Sequence, residues 1–154
     1  MSHHRSLPSI HLVGVDVKVP NSRDSAELFN DSLERIKTIP GFFIRFHTLF
    51  LASSGEVREK FENTALTRQV DLLRTAFYYI LLASRGDHAA RALLEPVAMR
   101  HSRHALNIRP ELYNLWLDSL IRAVAECDPR FSPEVEQAWR VTMESGIRFM
   151  MNHY

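Results

Sequence analysis

The stretch VAMRHSRH at 97 to 104 sets two imidazoles, His101 and His104, three positions apart where an apolar segment gives out. A neutral imidazole is the commonest protein ligand for transition metals. Zinc is the poorer use for this pair, because a structural zinc needs about four ligands and a catalytic one about three. No cysteine nearby and no H-E-x-x-H run supplies the remainder. Taken by itself, a histidine at a helix end is as a rule a capping or surface residue, and either reading is open on the spacing alone. Two further residues have chemistry to offer. His47 stands among Phe43, Phe46 and Phe50, and Gln69 lies beside an apolar stripe. By residue type alone, these read as a satisfied core histidine and a solvated glutamine. His3 and His4 belong to the opening SHHRSLPSI and are left out of any site.

The segments that must position these groups are nearly all helical by pattern. Beyond Pro20 the apolar residues recur at helical rather than alternating intervals, with breaks at Pro and Gly. A first helix is predicted from about Ser25 to Ile39, and a second over FFIRFHTLFLAS, residues 42 to 53. GEVREKF reads as a turn, and Thr64 as the cap of a long helix over 65 to 85 that Gly86 ends. A helical segment from His88 to about His104 contains Pro96, which must start a new helix or kink the old one. Pro110-Glu111 and Ser132-Pro133-Glu134 launch the last two helices. Residues 1–24 form an arm in which Leu12, Val15, Val17 and Val19 are apolar, ahead of a domain over 25–154.

Composition narrows the function classes. In 154 residues, 45% hydrophobic with a net charge of +1, nothing supplies the one-sided positive field that nucleic acid or an anionic membrane surface requires. The apolar run at 12 to 19 is too short to span a bilayer and has no cleavage pattern after it. Cys127 is the single cysteine, so an internal disulfide and a C-x-x-C-H haem attachment are both excluded. A cytoplasmic location is the expectation.

The order of five segments adds a resemblance. FHTLFLASSGEVREKF at 46 to 61, TALTRQ at 64 to 69, VAMRH at 97 to 101, IRPELYNLWLDSL at 108 to 120 and Ala138-Trp139 follow one another as in the globin superfamily. The chain resembles bacterial single-domain globins and the globin domains of haem-based sensors over about 25 to 152. The resemblance implies an all-α globin fold of about seven to eight helices around non-covalently bound haem b. It implies His101 as the axial ligand of the haem iron. Val97, four residues earlier, shares the helical face of His101 and can pack on a porphyrin, whereas the same offset from His104 gives Arg100. His104 and Arg103 then become rim residues able to meet a haem propionate. Phe61, Leu73, Tyr113 and Trp139 are the other cofactor contacts that the resemblance implies. Gln69 takes the distal position.

His47 stands where many bacterial globins have tyrosine. It is expected either to donate a hydrogen bond, with the Gln69 amide, to a bound dioxygen, or to coordinate the iron itself; the first is preferred because the second helix usually stands too far from the metal. A histidine there could also shuttle a proton to peroxide. The functional expectation is reversible binding of O2, CO or NO for carriage, scavenging or sensing. The alternatives are a redox enzyme (NO dioxygenase, nitrite reductase or peroxidase-like) fed by an external reductase, and a haemless signalling module. Related sensors work through a partner and dimerise through their last two helices, which makes those helices the expected surface for a homodimer.

Overall fold

Asn21 opens the first helix by accepting, at Oδ1, the N–H groups of Arg23 and Asp24 at 2.9 and 3.0 Å. The computed structural model describes residues 21–154, and the arm's apolar positions from Leu12 to Val19 lie outside them, as do His3 and His4. With that cap, α1 spans Ser22–Ile36 and starts three residues before the expected Ser25. Helix α2, Phe42–Ser53, falls on FFIRFHTLFLAS as expected. The GEVREKF segment is a helix and not a turn. Ser54 Oγ takes the Val57 N–H at 3.1 Å to cap α3, Gly55–Phe61. Two turns with only Val57 buried are too short to show helical periodicity in a sequence.

Helix α4 covers Leu66–Ser84, and Thr64 does not cap it; no side-chain cap is present there. Asp87 caps α5, His88–His101, which runs through Pro96 and stops three residues short of His104. Pro96 is exposed and sits in the helix interior, where it leaves the α5 ladder one N–H short. Helices α6, Pro110–Cys127, and α7, Pro133–Met151, each begin with the proline at a first-turn position. Proline tolerates that place because its missing N–H would have no partner there. The described residues thus form seven helices and no strand. None of these helices is long and apolar enough to cross a membrane.

Helix α2 packs on α6, while α7 lies across α1, α4 and α5. Phe29, Phe46, Phe77 and Trp139 are fully buried between them. The α4–α7 crossing depends on Gly146. A Cβ at that position would stand 2.5 Å from the Ile80 carbonyl oxygen and 2.7 Å from Ser84 Oγ, which itself accepts the Gly146 N–H at 2.9 Å. Gly146→Ala should gain helix propensity yet lose more through forced separation of the helices, a net destabilisation of about 2 kcal/mol by urea unfolding. A more stable variant would mean that this crossing has slack.

Candidate functional site

A cavity of about 370 Å³ lies between the α3–α4 side of the molecule and the α5–α6 side. Its body is apolar and aromatic, built from residues such as Phe61, Leu73, Leu94, Val97, Ile108 and Leu112. Three exposed cations, Lys60, Arg68 and Arg100, stand at its lining, and no acidic residue does. Such a space suits a flat hydrophobic molecule with an anionic edge.

His101 faces this cavity from the last turn of α5. Its Nδ1 is 2.7 Å from the Val97 carbonyl oxygen. A carbonyl can only accept, so Nδ1 carries the proton and Nε2 keeps its lone pair. Burial pushes the imidazole below its ordinary pKa; the Val97 bond opposes that, and Arg100 adds to it. His101 is therefore held as the neutral imidazole, with an unprotonated Nε2 on a residue that lines an apolar space. After the helix the chain folds back: the Ile108 N–H reaches the His101 carbonyl at 2.9 Å, with Asn107 in the left-handed region at φ 52°. That reversal brings Ile108 beside His101.

Leu73, Val97, Tyr113 and Phe61 line the cavity with His101. The Tyr113 phenol is buried, and burial pushes its pKa upward, so it stays a neutral hydroxyl. Two expected contacts stand elsewhere. Arg103 points away and donates through Nε to the Tyr154 carbonyl oxygen at 3.2 Å, its guanidinium 5.3 Å from the Tyr154 ring centre. Trp139 is in the core behind α4, its ring edge-on to Phe29 with centres 4.6 Å apart and its Nε1–H donated to Ser32 at 2.9 Å. A tryptophan whose N–H has a buried acceptor on another helix turns toward it. His104 is exposed and does not line the cavity. The cations that do line it were missed in the sequence, although Lys60 and Arg100 directly precede Phe61 and His101.

His47 and Gln69 are brought together, but toward each other. Both are buried and neither lines the cavity. His47 Nε2 lies 2.7 Å from Gln69 Oε1. Gln69 Nε2 lies 2.8 Å from the Phe61 carbonyl oxygen and 2.5 Å from that of Thr64. Two carbonyls at the amide nitrogen fix the amide orientation, which makes His47 Nε2–H the donor to Oε1. Among the described residues, no three His, Cys, Asp or Glu side chains converge on a metal position. A metal at His101 would have that one protein ligand, which fits an ion whose other positions a macrocycle fills.

No family model matches the chain, and no curated protein matches it. Among solved structures, the chain is similar to a Pseudomonas aeruginosa PAO1 protein described as structurally highly homologous to a human hemoglobin. The two are 42% identical and superpose with a TM-score of 0.74 over 84% of this chain and 98% of the other.

Proposed function

The chain belongs to the globin superfamily, and from that premise we propose that it holds haem b non-covalently through His101 and binds a diatomic gas reversibly. Haem supplies the iron at which such a gas is held. The observation that carries the reading is the neutral His101 in the lining of an apolar cavity, its Nδ1–H committed to Val97 and its Nε2 left unprotonated. Lys60, Arg68 and Arg100 would meet the two propionates, the part that the sequence had given to Arg103 and His104.

The partner of His101 also weighs on what the site does. A backbone carbonyl leaves the imidazole less basic than a carboxylate would, and a partner of the latter kind would raise the electron donation that oxygen-cleaving redox sites draw on. Gas binding is thus favoured over the redox enzyme. The absorption spectrum of the purified protein with added haemin, ferric and then dithionite-reduced, tests the proposal. A five-coordinate ferrous band that shifts on CO is expected. Failure to take up haemin would overturn it and leave the haemless signalling module.

A further inference from the structure

We infer that His47 and Gln69 are a positioning pair for Phe61 and not hydrogen-bond donors to a gas, so that neither stabilises O2 relative to CO and NO, which need no such bond. This rests on the haem reading above. It follows from a count of protons. The Nε2–H of His47 goes to Gln69 Oε1, and the ring lies outside the cavity lining. A primary amide has two, and Gln69 spends them on the carbonyls of Phe61 and Thr64. Nothing is left to donate into the cavity from either residue. To offer an N–H to a ligand, Gln69 would have to give up its bonds to two part-buried carbonyls and strand the buried His47 donor, the last at the cost of an unmade hydrogen bond.

The same bonds give the pair a structural purpose. The Phe61 carbonyl closes the end of α3 and also receives the Thr64 N–H at 3.0 Å. Gln69 therefore ties the start of α4 to the turn that carries Phe61. His47 backs that arrangement twice, through Gln69 and by placing its ring edge-on to the Phe61 ring, centres 6.1 Å apart. Phe50 stands on the same ring at 6.1 Å. Phe61 is thus held against the cavity by α2, α3 and α4 together.

The test uses Gln69→Leu and His47→Phe, each in the haem-free and the haemin-loaded protein. In the haem-free protein, amide exchange at Thr64 should quicken about tenfold or more in Gln69→Leu; unchanged exchange would remove the positioning role. In the loaded protein, O2 dissociation should change less than fivefold in both variants, and the C–O stretching frequency of the CO form should stay put. A lost donor worth one ordinary hydrogen bond would change the O2 rate about tenfold. A change above fivefold, or a shifted C–O stretch, would make the residue a donor to the gas and overturns that half of the inference. Should Gln69→Leu not fold, His47→Phe gives the same rate and frequency readouts. If the wild type takes up no haemin, the statement about gas ligands falls with the haem reading, while Thr64 exchange still decides the positioning role.

Discussion

His101→Ala protein is expected to purify without a Soret band and to take up haemin at least about 100-fold more weakly than the wild type, while His104→Ala binds as before. The asymmetry comes from one turn of α5. Of the two imidazoles only His101 faces the cavity, and only its Nδ1–H is held by a carbonyl one turn earlier. His101 contributes little to the packed core, being half-buried with the remaining ring edge in the cavity, so the haem-free variant should unfold within a few degrees of the haem-free wild type. That pairing of results separates loss of a ligand from loss of the fold. Free imidazole added to His101→Gly should restore part of the ferric spectrum, because it can occupy the volume of the missing ring. Full haemin uptake by both alanine variants would remove His101 from the site.

The α5 wall of this cavity was legible because it is local. Leu94, Val97, Ala98 and His101 lie on one helix at intervals of three and four, and a helix with those intervals leaves little choice of face. The other wall was legible only as positions. His47 and Gln69 are on two helices and twenty-two residues apart, and their helices could be read. What could not be read was that the Phe61 carbonyl at the end of α3 and the Thr64 carbonyl in the connection to α4 would claim the amide protons, since α3 itself is too short for periodicity to reveal. Trp139 fails for a related reason. Its spacing correctly gives a buried face of α7, but the residue that turns the indole is Ser32, 107 positions away. Burial follows from pattern, whereas the partner of a polar atom follows from tertiary packing.

Asp128 shows how much of the fold hangs on such a partner. Its side chain is fully buried at the α6–α7 connection. It accepts from Ser32 Oγ at 2.6 Å, from Arg35 Nε and Nη2 at 2.6 and 2.8 Å, and from the Arg130 N–H at 2.9 Å. Ser32 in turn accepts the Trp139 indole N–H, so one carboxylate joins α1, α7 and the connection between α6 and α7. Asp128→Ala should cost about 3 to 5 kcal/mol, because it leaves a partly buried Arg35 charge and the Ser32 hydroxyl without their acceptor. Asp128→Asn keeps the shape and some acceptor capacity and should cost less. The pH dependence has a fixed sign. Burial pushes the carboxyl pKa up, but the bonds from Arg35, Ser32 and Arg130 outweigh it and hold the value below the ordinary one. The stabilisation is therefore present above the unfolded value of about 3.9 and is lost as pH falls through the lower folded value. Urea unfolding at pH 7 and again below pH 4 should show the wild type converging on Asp128→Asn as acid is added. A gap that stays constant with pH would mean that the charge of Asp128 contributes nothing and that its shape alone holds the three elements.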